Sequence, residues 1–91
     1  MNKLEEVLTI TQEECAEVVQ AISKCRRFGL DNSHKSGKTQ RENLTEEVGD
    51  LYCMLELLCE HVGLDKRQVA IAAHDKREKL KTWSNIFNDS V

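Results

Sequence analysis

The chain contains no proline, so nothing in its 91 residues forces a helix to stop. Aromatic residues are scarce too, limited to Phe28, Tyr52, Trp83 and Phe87, and the expected fold class is all-α. No apolar run approaches the roughly 20 residues that cross a bilayer. The opening MNKLEEV lacks the apolar stretch of a signal peptide. The expectation is therefore a cytoplasmic protein without a membrane partner. A concentrated basic stripe is also missing: the basic residues are spread among acids and the net charge is -3, which argues against binding duplex nucleic acid. Cys15, Cys25, Cys53 and Cys59 include no C-x-x-C pair, so a zinc site or a redox pair is not indicated. Three of them lie in or beside apolar stripes and read as small buried hydrophobes, with Cys53 on a more polar side of its helix.

What the chain does have is an ordinary soluble balance, 40% apolar and 32% charged, over a length that suits one domain covering residues 1–91. From Asn2 to Arg27 the residues Leu4, Val7, Leu8, Thr11, Cys15, Val18, Ile22 and Cys25 recur at the helical period. A second helix is expected from Thr39 or Gln40 to His61, on the stripe Leu44, Val48, Leu51, Leu55, Leu58 and Val62. A third runs from Lys66 to Ile86 behind Asp65 as N-cap, with Val69, Ala72, Ala73, Leu80, Trp83 and Phe87 on one face. Gly29 and Gly63 suit the ends of the first two helices, and residues 88–91 read as a loose tail. Three such helices leave apolar surface uncovered, so the chain is expected to form a homo-oligomer, a dimer or a dimer of dimers, with a four-helix-bundle-type core. Between the first two helices, Ser36-Gly37-Lys38-Thr39 looks like the tail of a phosphate-binding loop. Asn32 stands where that motif needs glycine, and a helix precedes it where a strand should, so the segment reads as a plain loop.

The chemistry is concentrated in two acidic clusters. Glu14 and Glu17 are three residues apart, Glu13 and Glu17 four apart, so the first helix carries them on neighbouring positions of one side. Glu46-Glu47-Val48-Gly49-Asp50 repeats the arrangement, with Glu47 set close to the core direction and Asn43 one turn earlier on the same polar strip. Either pair alone would read as a solvated face. Two helices that each bring an acid pair beside an apolar stripe can place four carboxylates at one spot, and a divalent cation is the usual reason to tolerate that repulsion. Oxygen donors without histidine or thiolate favour Mg²⁺, with Mn²⁺ as a substitute, over zinc. Lys24 follows Glu17 by seven residues, roughly 10 Å along the same face. Lys76 and Lys79 lie on the third helix, and metal plus lysines points to a phosphorylated substrate. Gly49 costs helix stability of about 0.5 to 1 kcal/mol, which close approach of another backbone or of a ligand would explain.

Glu14-x-x-Glu17 followed by Glu47-x-x-Asp50, within EECAEVVQAISKCRRFGL and ENLTEEVGDLYCMLELL, resembles the metal-binding signature of the MazG-type all-α nucleoside triphosphate pyrophosphohydrolases, in particular small phage and bacterial members. The resemblance covers most of the chain. It implies Mg²⁺-dependent hydrolysis of a ribo- or deoxyribonucleoside triphosphate to the monophosphate and pyrophosphate. Carried over, Glu14, Glu17, Glu47 and Asp50 are metal ligands, and Glu13, Glu14 or Glu46 orients the water. Lys24, Arg27 and Lys76, with Lys79 beside it, are the candidates for phosphate contact, and Asn43 is a candidate for sugar or base. The separation from Glu17 to Glu47 is at the long end for this pattern, and the asparagine often found before the lysine of the last helix is replaced by Ala73 or Lys76. Two alternatives stand beside this reading: an enzyme like the phosphoribosyl-ATP pyrophosphatases, and a non-catalytic helical protein that binds a nucleotide or a partner.

Overall fold

The computed structural model describes residues 1–33 and 36–88; residues 89–91 of the expected tail, and His34 and Lys35 of the loop, lie outside the described residues. Three helices follow one another: α1 (Lys3–Phe28), α2 (Gln40–Val62) and α3 (Lys66–Trp83). Among the described residues no strand forms, apart from a single isolated antiparallel bridge between Ser33 and Thr39.

Each helix start is written locally. At α1 the Asn2 side chain accepts from the Glu5 amide at 2.8 Å and Glu5 Oε2 accepts from the Asn2 amide at 3.2 Å. Thr39 and Glu42 do the same at α2, at 3.0 and 3.1 Å. These reciprocal pairs satisfy backbone donors that the first turn of a helix leaves without partners. Asp65 caps α3 alone, accepting from the amides of Arg67 and Gln68. At the other ends, Gly63 closes α2 in the left-handed region, φ 81° and ψ 36°. Gly29, φ 89°, turns the chain so tightly that a Cβ there would stand 2.9 Å from Asn32 Nδ2. That amide donates to the Phe28 carbonyl and covers the end of α1.

α3 ends three residues earlier than its apolar pattern suggests. Ser84 Oγ donates to the Leu80 carbonyl at 2.7 Å and accepts from the Ile86 amide at 3.3 Å. The hydroxyl thus offers the backbone an alternative to the helical ladder.

α1 and α2 pack against each other, and this pair holds what core there is: Val7 and Ala21 on α1, Met54 on α2, with Thr11 and Gln40 as buried polar residues. Thr11 is satisfied by its own helix, donating to the Val7 carbonyl at 2.7 Å. α3 buries no residue. The expected α3 face is accordingly open, Trp83 at 81% exposure. Cys15 is also exposed, against its reading as a small buried hydrophobe, because α2 covers only part of the α1 stripe. Cys25 and Cys59 are half-buried and Cys53 is exposed. Among the described residues, no atom outside the adjoining turns of α2 lies within 4 Å of where a Cβ on Gly49 would sit, so tertiary packing of these residues does not account for that glycine.

The chain is flat, 40 × 37 × 14 Å, with a Cα radius of gyration of 16.1 Å. A compact domain of this length has a radius of about 12 Å.

Candidate metal centre

The α1–α2 contact sets the acids against one another. Glu14 from α1 and Glu47 and Asp50 from α2 each bring a carboxylate oxygen to within 4.8 Å of the others. Glu14 and Glu47 are half-buried, Asp50 exposed. Glu47 is the residue in the centre of this repulsion. Partial burial, and then the charges of Glu17, Asp50, Glu14 and Glu46 in that order, push its carboxyl above the ordinary glutamate range. Burial and like charge both disfavour the ionised form. Glu17 therefore belongs to the electrostatic neighbourhood of Glu47, although its oxygens fall outside the close trio. Glu13 is exposed and is not among the groups that bring charge to Glu47.

The donor set fits a hard divalent cation. Three carboxylates from two rigid helices converge with no imidazole or thiolate in the group, which suits oxygen-seeking Mg²⁺ or Mn²⁺. The partial burial of two of the three makes the cost of leaving them without a counterion larger than on an open surface.

The cations are distributed unevenly around this cluster. Lys24 is half-buried on α1. Arg27 lies over the ring of its neighbour Phe28, 4.8 Å from the centroid. Asn43 is half-buried, one turn before Glu47 on α2. Lys76 and Lys79 are exposed on α3, the helix that buries nothing, and neither is among the groups whose charge acts on Glu47.

Two cations that the sequence motifs did not single out for the site pair across the loop that precedes α2. Lys38 Nζ is 2.5 Å from Glu46 Oε1. Arg41 donates from Nε and Nη2 to the two oxygens of Asp31, at 3.0 and 3.4 Å, and its hydrogen bond holds the Asp31 carboxyl below the usual range. Both pairs join the loop to α2. The signal for Lys38 was present in its place one residue before the Thr39 cap, since a side chain there can run along the first turns of the helix it introduces.

The helical pair α1–α2 thus concentrates carboxylates of the kind that suits a hard cation. The sequence profile of the MazG nucleotide pyrophosphohydrolase domain matches residues 2–82, and the chain belongs to this family. Family membership supports nucleotide pyrophosphohydrolase activity in general, and the family is typically dependent on a divalent metal. No curated protein and no solved structure matches the chain. Among the described residues, no helix is long and apolar enough to cross a membrane.

Proposed function

We propose that the protein is a nucleoside triphosphate pyrophosphohydrolase that uses Mg²⁺, or Mn²⁺ in its place, to convert a ribo- or deoxyribonucleoside triphosphate to the monophosphate and pyrophosphate. The observation that carries this reading is the convergence of Glu14, Glu47 and Asp50 within 4.8 Å, in a chain of the MazG family. Glu14, Glu47 and Asp50 hold the metal, with Glu17 completing the set from the next turn of α1. A bound Mg²⁺ supplies Lewis-acid polarisation of phosphoryl oxygens and lowers the pKa of water. One carboxylate of Glu13, Glu14 and Glu46 accepts the proton of the attacking water and holds that water in line with the α phosphorus. Lys24 lies along α1 from Glu17 and neutralises charge on the departing pyrophosphate, a role in which Arg27, Lys76 and Lys79 join it. Asn43, on the polar strip of Glu47 and Asp50, is placed for the sugar or base. The protein acts as a homo-oligomer, because within one chain α3 buries no residue and the charges of Lys76 and Lys79 do not act on Glu47.

In the reaction, the water oxygen bonds to the α phosphorus and the bond from that phosphorus to the bridging oxygen breaks. The electron pair leaves with pyrophosphate, and the water proton passes to the carboxylate. Hydrolysis in ¹⁸O-labelled water therefore places the label in the monophosphate and none in pyrophosphate. Release of orthophosphate with a diphosphate product would refute the assignment. A panel of nucleoside triphosphates and phosphoribosyl-ATP, run in the same assay, separates this reading from its nearest enzymatic relative. Tight Mg²⁺–nucleotide binding without turnover across the panel would leave a binding protein instead.

The raised pKa of Glu47 gives a pH dependence with a definite sign. An acid whose folded-state pKa exceeds its unfolded value binds its proton more tightly when folded. The metal-free chain therefore gains stability from this group as pH falls through the raised pKa and loses it as pH rises. Mg²⁺ competes for the same oxygens. The rise in melting temperature produced by Mg²⁺ should be full well above the raised Glu47 pKa and shrink as pH falls through it, over a range displaced upward from that of ordinary glutamates. Thermal melts with and without Mg²⁺ across that range check it, and an equal Mg²⁺ effect at both ends would contradict it.

A further inference from the structure

We infer that Lys38 is a substrate-phosphate contact held in reserve by Glu46: when a metal-bound polyphosphate enters the acid cluster, the Lys38 ammonium leaves the Glu46 carboxylate for a phosphate oxygen. The inference rests on the catalytic reading above and extends it to a residue of the loop.

Three observations carry it. The first is position. Glu46 and Asp50 are four residues apart on α2, so their Cβ atoms are neighbours at roughly 5 to 6 Å. Asp50 belongs to the trio of converging carboxylates. The ammonium paired to Glu46 at 2.5 Å, which also lies in the field of Glu42, therefore stands one turn of α2 from Asp50, on the side of the loop.

The second is the way the backbone beneath Lys38 is held. Thr39, the next residue, is locked into the α2 cap and bridges Ser33. The Gln40 amide donates to the Asn32 carbonyl at 2.9 Å and the Arg41 amide to the Leu30 carbonyl at 2.8 Å. The Arg41 pair with Asp31 adds a side-chain tie across the same two strands of the loop. The stem of Lys38 is thus anchored while its four-carbon chain can swing the charge.

The third is the weakness of the resting partner. The two side chains of the pair are 44% and 55% exposed, and ion pairs this open contribute little to stability. A triphosphate offers several charged acceptor oxygens in place of one carboxylate, and hydrogen bonds between ionised partners are the stronger class. Exchange of Glu46 for phosphate is therefore favourable, and it releases the Glu46 carboxylate beside Asp50, where a group that accepts a proton from water is needed. Lys38 so acts on the substrate directly and on Glu46 by letting it go. The Ser36-Gly37-Lys38-Thr39 segment thereby contacts phosphate from a different backbone setting than a strand-to-helix loop.

The test is calorimetric titration of inorganic tripolyphosphate in the presence of Mg²⁺, a probe with no base to complicate recognition, alongside thermal melts with Mg²⁺ alone. Lys38→Ala is expected to weaken tripolyphosphate binding about tenfold while leaving both the melting temperature and its Mg²⁺ shift as in the wild type, and Lys38→Arg to restore most of the affinity. Glu46→Gln, which removes the competitor for the ammonium, should tighten binding several-fold, and that gain should vanish in the Lys38→Ala background. Wild-type affinity in Lys38→Ala, or a Glu46→Gln effect that persists without Lys38, would overturn the inference and leave the catalytic reading intact. A wild type that shows neither a Mg²⁺ shift nor tripolyphosphate binding would overturn both.

Discussion

Alanine at Glu47 or Asp50 is expected to abolish turnover, by roughly a thousandfold or more, and to erase the stabilisation by Mg²⁺ while leaving the chain folded. The two halves of this result have one cause. Glu47 is half-buried among like charges, and its carboxyl is pushed upward by burial and by four neighbouring acids. In the folded chain that cluster stores repulsion, and a divalent cation converts the repulsion into binding energy. Removing one carboxylate takes away a ligand and the strongest reason for the remaining acids to accept a cation. It also relieves repulsion, so the metal-free variant should melt no lower than the metal-free wild type. With Mg²⁺ at a hundredfold excess over its dissociation constant, mass action stabilises the wild type by about 2.7 kcal/mol. For a domain of this size that is a rise of roughly 10 to 20 °C in Tm. Thermal melts of wild type, Glu47→Ala and Asp50→Ala with and without Mg²⁺, beside pyrophosphate release assays, check both halves. Equal Mg²⁺ responses in all three proteins would mean that the acids are a solvated face and that the metal, if the reaction needs one, is held elsewhere.

The acidic cluster was legible because helical spacing is rigid. Once Glu14 and Glu47 stand beside their apolar stripes, packing the stripes together brings the carboxylates together, and α1 packs on α2 in this way. Helix starts were legible for a similar reason, since Thr39 and Asp65 act on donors two or three residues away. The end of α3 was not, because the Ser84 hydroxyl competes with the ladder at a point where the apolar pattern continues to Ile86 and Phe87. Lys38 was set aside with the failed phosphate-loop motif, and its pairing was not legible either. Its partner Glu46 is eight residues away, and the fold of the loop that directs the side chain depends on backbone contacts to Leu30 and Asn32 that no periodicity encodes. The burial of Cys15 was misread because an apolar stripe records that something covers it, without recording whether the cover comes from the same chain.

That last point leads to the assembly. The protein is expected to be an obligate oligomer because of the area it exposes. Its accessible surface is 7236 Å², where a compact monomer of 10.4 kDa exposes about 5,400 Å². The excess is about 1,800 Å², more than twice the roughly 800 Å² that each partner contributes to a standard interface. Among the described residues, only Val7, Ala21 and Met54 form a buried apolar core, and no side chain is fully buried. Such a core is too small to offset the conformational entropy of ordering three helices, so the folded state is expected to take its missing cover from a second copy. The surface that needs cover is continuous in kind: Leu4, Leu8 and Ile22 on α1, Leu55 on α2 and Val69 on α3 are each more than 40% exposed. Tyr52, Leu55 and Cys59 of α2 border a shallow groove with Lys66 and Val69 at the start of α3, which fits an apolar helix face better than solvent. Sedimentation at micromolar concentration should show a dimer or a dimer of dimers, with a melting temperature that rises with protein concentration. Glutamate at Leu55 and Val69 together should break the assembly, and the dissociated chain should lose cooperative melting along with turnover, because the same contacts complete the core. A monodisperse, compact monomer with a sharp, concentration-independent transition would sink this expectation, and it would require the exposed faces of α1 and α3 to close on each other within one chain.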